Sequence, residues 1–165
     1  MYGVHDVRVE YGPESKKWEL IPIGDIHIGA KGCDLTRLRR LVDWMKERER
    51  TLWIGMGDYA DCINFHDKRF DPATIDPSFL PYLDNLVPEQ FRRLNEILHP
   101  IKEKCIGLHA GNHEETIRKW YNYDITQQFS NDWGVPNLGY SAFTRLNFEN
   151  NSHRERITVW SQHGA

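Results

Sequence analysis

No stretch of the chain approaches the ~20 consecutive apolar residues that a membrane span needs, and the first residues lack the apolar core of a signal peptide. The expectation is a cytoplasmic protein without a membrane partner. Cysteine is scarce as well. Cys33, Cys62 and Cys105 are odd in number and show no CxxC spacing, which argues against a disulfide framework or a zinc knuckle. Internal repeats and low-complexity tracts are missing, and with them solenoids and linkers. Charge of one sign is barely in excess: a formal net charge of -3 gives no bulk attraction to nucleic acid or to an anionic membrane. The basic runs "RLRR" (37–40) and "KERER" (46–50) have the spacing of a solvated helix face. What remains, 39% hydrophobic and 27% charged residues over 165, is the composition of one globular domain spanning 1–165.

Along the chain, "VRVEY" (7–11) and "WELIPIGD" (18–25) flank the turn-like "GPESKK", which predicts a β-hairpin. Leu35, Leu38, Leu41, Val42 and Met45 predict a helix with Asp34 as N-cap. "TLWIGMGD" (51–58) reads as a buried strand. The segment 59–88, with Pro72, Pro77, Pro81 and Pro88, reads as a long irregular insertion framing a site. A second helix is expected over 88–104, ended or kinked by Pro100, and "CIGLHAGN" is a further strand running into a loop. Residues 115–134 read as helical with a break near Asn122. "YSAFTRLNFE" and "RERITVWSQHG" predict a closing hairpin. The mixed order of strands and helices favours an α/β fold.

Three of these strands end in glycine followed by a ligand-type residue: "GDIHIG" (24–29), "GDYAD" (57–61) and "GNHEE" (111–115), with "WSQHGA" (160–165) as a fourth candidate. Loops leaving the carboxyl ends of adjacent strands converge on one crevice, so Asp25, His27, Asp58, Asn112 and His163 can meet there. Carboxylate, imidazole and amide oxygen together suit manganese, iron, zinc, nickel or cobalt better than calcium or structural zinc. In an extended strand Asp25 and His27 point the same way and can grip one ion. Asp58 can bridge to a second ion held by Asn112 and His163, and His113 can protonate a leaving alkoxide.

Asp-x-His, Gly-Asp-x-x-Asp, Gly-Asn-His-Glu and a later His-Gly, in this order from Ile21 to Ala165, resemble the calcineurin-like metallophosphoesterase superfamily. The resemblance implies a β-sandwich flanked by helices. It also implies two divalent transition metal ions, manganese being the first expectation. Asp25 and His27 would hold one ion, Asn112 and His163 the other, with Asp58 bridging. His113 would be the general acid, and Asp61 and Glu114 would orient the ligands. The reaction it implies is phosphoester hydrolysis by metal-activated hydroxide, with phosphodiesters ahead of monoesters and nuclease activity as a specific form.

One family element is missing: no Gly-His-x-His follows His163. The fold is therefore expected to be C-terminally incomplete, each ion one imidazole short and a sheet edge open. A longer enzyme, a partner chain or second copy that completes the sheet, and a short form using water in the empty positions all account for this. The alternative functions are a catalytically silent or partner-completed metal-binding module and a phosphomonoesterase or protein phosphatase. His66, in the insertion, is the histidine most suited to substitute as a ligand or to touch substrate. His5, His99, His109 and His153 read as ordinary core or surface residues.

Overall fold

The structure, a computed structural model, describes residues 3–12, 17–63, 65, 67–150 and 153–164. Its strands are β1 (Gly3–Glu10), β2 (Glu19–Ile23), β3 (Thr51–Gly55), β4 (Cys105–His109), β5 (Asn137–Gly139), β6 (Ser141–Glu149) and β7 (Arg154–Gln162). They form two sheets. Strands β2, β3, β4 and β5 lie side by side and parallel, while β6 lies between β1, parallel to it, and β7, antiparallel to it.

Successive residues of the parallel strands serve different cores, as the period of two requires. Ile21, Ile23, Trp53 and Leu108 face one apolar cluster, shared with the helices. Leu20, Leu52, Ile54 and Ile106 face a second cluster, shared with Val9, Ala142, Leu146 and Phe148 of the other sheet. Trp53 is wholly buried and its indole N–H donates to the Ile101 carbonyl at 2.8 Å, so the large ring leaves no unsatisfied donor.

Helix α1 (Leu35–Lys46) begins where the Asp34 side chain accepts from the Arg37 N–H at 2.9 Å. It buries Leu38, Val42 and Met45, each contributing about 1.5–3 kcal/mol of apolar burial. The arginines of "RLRR" stay exposed. Helix α2 (Leu86–Leu98) carries Pro88 in its first turn and gives way before Pro100 to a tighter 3-10 stretch, His99–Lys104. Helix α3 (Asn112–Tyr121) stops at Asn122, which takes a left-handed conformation. Helix α4 (Ile125–Trp133) starts from an Asp124 cap and ends on left-handed Gly134.

Within 59–88 two Asp-Pro pairs each start a 3-10 turn. Asp71 and Asp76 cap, Pro72 and Pro77 lead, and the turns run Pro72–Thr74 and Pro77–Asn85. Ile75 and Phe79 anchor the segment in the core.

The structure corrects the expected first hairpin. β1 and β2 lie in different sheets, β1 pairing with β6 and β2 with β3. Turn-like residues between two apolar runs carry only local information, and here partners far along the chain outcompete the local pairing. The three-residue strand β5 was too short for periodicity to reveal.

Candidate metal centre

The loops after β2, β3 and β4 leave the same edge of one parallel sheet, because those strands are neighbours. The first two run side by side: the Asp25 N–H donates to the Gly57 carbonyl, those of Ile26 and His27 to the Asp58 carbonyl, and that of Ile28 to Tyr59, all at 2.9–3.0 Å. β2 ends at Ile23, so Asp25 and His27 are not in an extended strand, contrary to expectation. They adopt left-handed conformations with φ of 50° and 49°, and Asp58 does the same at 51°. Among the described residues only Cys62 and Asn122 otherwise combine a side chain with positive φ. Such conformations cost on the order of 1–2 kcal/mol each and persist where surrounding bonds over-determine them.

Glu114 supplies much of that determination. It is buried in the first turn of α3, and its carboxylate accepts from four backbone N–H groups. Oε1 takes those of Tyr59 (2.9 Å) and Ala60 (3.3 Å), and Oε2 those of Asp58 (2.9 Å) and Gly111 (3.0 Å). Burial pushes its pKa up and the Asp58 charge adds to this, while the N–H donors of Ala60, Asp58 and Gly111 oppose it. The close approach also needs two glycines. A Cβ on Gly111 would lie 2.1 Å from Asp58 Oδ1, and one on Gly57 (φ 88°) would lie 2.6 Å from the Gly111 nitrogen.

All six expected site residues come together here. Asp58 is buried, and its Oδ2 lies 3.9 Å from His27 Nε2 and 3.6 Å from His163 Nε2, while Oδ1 accepts from the His113 backbone N–H at 3.0 Å. His27 Nε2 is 4.0 Å from Asp25 Oδ1, on the exposed side. His163 Nε2 is 3.1 Å from Asn112 Oδ1. Ligand atoms of His27, Asp58 and His113 lie within 4.8 Å of one another. The His27 and His113 rings meet edge to face at 4.6 Å.

The donor chemistry fits cations. His163 Nδ1 lies 2.7 Å from the Met56 carbonyl, which can only accept. In the neutral imidazole the proton therefore sits on Nδ1, and Nε2 presents a lone pair. That lone pair faces an amide oxygen and a carboxylate oxygen, so three acceptors converge with no hydrogen between them. A divalent ion satisfies all three, and a backbone carbonyl behind a ligating imidazole is the usual orienting partner. Asp58 Oδ2 is the atom common to this group and the one around His27 and Asp25, in keeping with a carboxylate shared by two ions.

His113 Nδ1 is hydrogen-bonded to the Asp61 carbonyl, so Nε2 is the nitrogen left for proton transfer. Burial pushes the Asp61 carboxyl up, while His113 and His27 pull it down. Cys62 is pushed well up by burial and by the charges of Glu114, Asp61 and Asp58. His66 lies outside the described residues. His109 is structural: its Nδ1 meets the Gly139 carbonyl at 2.9 Å and its Nε2 meets Ser161 Oγ at 2.8 Å, linking β4 with β5 and β7. The carbonyls of Met56 and Asp61 were invisible to sequence reading, because backbone atoms carry no residue-type signal.

A site of carboxylates, imidazoles and an amide at the carboxyl edge of a parallel sheet defines the class, a metal-binding α/β protein. The family follows from comparison: a family model for calcineurin-like phosphoesterases matches residues 21–165, and the chain belongs to that family. Membership implies metal-dependent phosphoester hydrolysis and a two-metal centre. No curated protein and no solved structure matches the chain. No described helix is long and apolar enough to cross a membrane.

Proposed function

We propose that this chain is a hydrolase of phosphodiesters, holding two divalent transition metal ions, manganese first among them. Asp25 and His27 would hold one ion and Asn112 and His163 the other, with Asp58 contributing to both. The two sheets then correspond to the family's β-sandwich, and 1–165 acts as one domain. The single observation that carries the reading is the convergence of Asp58 Oδ2, His163 Nε2 and Asn112 Oδ1 as three facing acceptors. Two ions bound there would activate water and polarise a phosphoryl oxygen.

The chain's own residues do the rest. Glu114 keeps the Asp58 loop in its left-handed turn through the N–H groups of Asp58, Tyr59 and Ala60. Met56 holds the His163 tautomer, and the Asp61 carbonyl aims His113. Water oxygen bonds to phosphorus and releases one proton to solvent, the bond from phosphorus to the leaving oxygen breaks, and His113, entering as the imidazolium, gives that oxygen its Nε2 proton and regains one from solvent.

Bis-p-nitrophenyl phosphate tests this. Turnover should rise with added manganese and fall at least 100-fold in Asp58→Ala, as expected for loss of a bridging ligand. A second reading is a metal-binding module without turnover, in which the same three facing acceptors hold an ion but no substrate is hydrolysed. Folded protein with no manganese-dependent turnover would support it.

A further inference from the structure

A cleft of about 730 Å³ opens beside the proposed centre, lined by Cys62, Asp67, Lys68, Arg69, Thr116, Trp120 and Tyr121. Helix α3 connects the two places. His113, Thr116 and Trp120 are spaced i, i+3, i+7 and share one face, and seven residues of helix span about 10 Å. That reach is comparable with one nucleoside unit. Cys62 follows Asp61, whose carbonyl holds His113, so the other wall also starts at the proton donor.

The lining has two characters. Trp120 is 72% exposed, an unusual place for so large an apolar ring, and Lys119 Nζ sits 5.6 Å from its centre. The same lining carries two cations, Lys68 and Arg69, with Asp67 beside them. Arg69 is fixed by Asp67, Nε to Oδ1 at 3.1 Å and a terminal nitrogen to Oδ2 at 2.9 Å. That bond raises the Arg69 pKa, and the charges of Asp61 and Asp58 add to the effect, so the guanidinium keeps its charge. Lys68 has no ion-pair partner among the described residues. An exposed indole beside cations, on the side from which a leaving group is protonated, is the pattern that seats a base and its phosphate.

We propose that this cleft binds the nucleoside of the leaving group, its base stacked on Trp120 and the adjoining phosphate facing Lys68 and Arg69. The substrate class is thus a nucleoside-bearing phosphodiester. The proposal rests on the phosphodiester reading above and is tested separately from turnover.

Thymidylyl-thymidine is titrated into the chain in EDTA while the indole N–H resonance of Trp120 is followed by NMR. A saturable shift of that resonance is expected. Affinities of wild type and variants are compared by calorimetry: Trp120→Ala should weaken binding roughly 5- to 150-fold, the worth of one base stacked on an aromatic ring, and Trp120→Phe should recover most of it. Lys68→Ala should weaken it and lower its salt dependence. Tighter binding of a short single-stranded oligodeoxynucleotide identifies a strand as the source, and equal binding identifies a free dinucleotide; both support the cleft. Unchanged affinity in Trp120→Ala, or equal binding by a phosphoserine peptide, overturns it. Manganese-dependent turnover of bis-p-nitrophenyl phosphate is measured alongside. Turnover without Trp120-dependent binding rejects the cleft and leaves the hydrolase, whereas Trp120-dependent binding without turnover does the reverse.

Discussion

Replacing Glu114 by glutamine changes one oxygen into an NH2 group and little else in shape. In the folded chain each carboxylate oxygen accepts from two backbone N–H groups, Tyr59 and Ala60 on one and Asp58 and Gly111 on the other. Whichever oxygen is lost, two buried N–H donors then face another donor. At about 1–3 kcal/mol for each unsatisfied buried group, Glu114→Gln should cost about 2–6 kcal/mol. Against a typical stability of about 5–15 kcal/mol that is a large share. Urea denaturation of wild type and variant measures it directly. Glu115→Gln is the control, because Glu115 pairs with Arg118 at the surface and should cost no more than about 1 kcal/mol. A Glu114→Gln loss no larger than that of the control would refute the claim that this carboxylate holds the metal-site loops.

Gly111→Ala puts a Cβ 2.1 Å from Asp58 Oδ1 and 2.2 Å from its nitrogen, so the carboxylate must move. Manganese affinity by calorimetry should fall roughly 10- to 100-fold, the usual penalty for disturbing a ligand's support. Burial lowers the His109 pKa, so the folded state keeps the imidazole neutral where the unfolded chain, with a pKa of about 6.5, takes up a proton. Its contribution to stability is therefore complete above about pH 6.5 and is lost as pH falls, with a slope of at most about 1.4 kcal/mol per pH unit. Urea midpoints across this range should show a shallower acid decline for His109→Gln than for wild type.

Much of this architecture can be read from residue patterns, and the exceptions have physical causes. The apolar runs of "TLWIGMGD" and "CIGLHAGN" and the spacing of Leu38, Val42 and Met45 are local consequences of burial, so the elements they predict are present. Pairing is different. β1 finds its partner in β6, more than a hundred residues away, and nothing in the turn-like "GPESKK" reports that. The candidate site residues were legible because glycine, carboxylate, imidazole and amide recur at strand ends. Their geometry was not: Asp25 and His27 converge through left-handed loop conformations, not through strand alternation. Nor does sequence show that Glu114 binds backbone instead of side chains. The seat at Trp120 required the path of α3 from His113, which only the fold supplies.

The account stands on Asp58 being shared by two cations, and counting bound manganese tests that most directly. Electron paramagnetic resonance with equilibrium dialysis should find two exchange-coupled ions per chain in wild type, one uncoupled ion in His163→Ala or His27→Ala, and no coupling in Asp58→Ala. Folded wild-type protein that binds no manganese, or an Asp58→Ala variant that still holds a coupled pair, would contradict it.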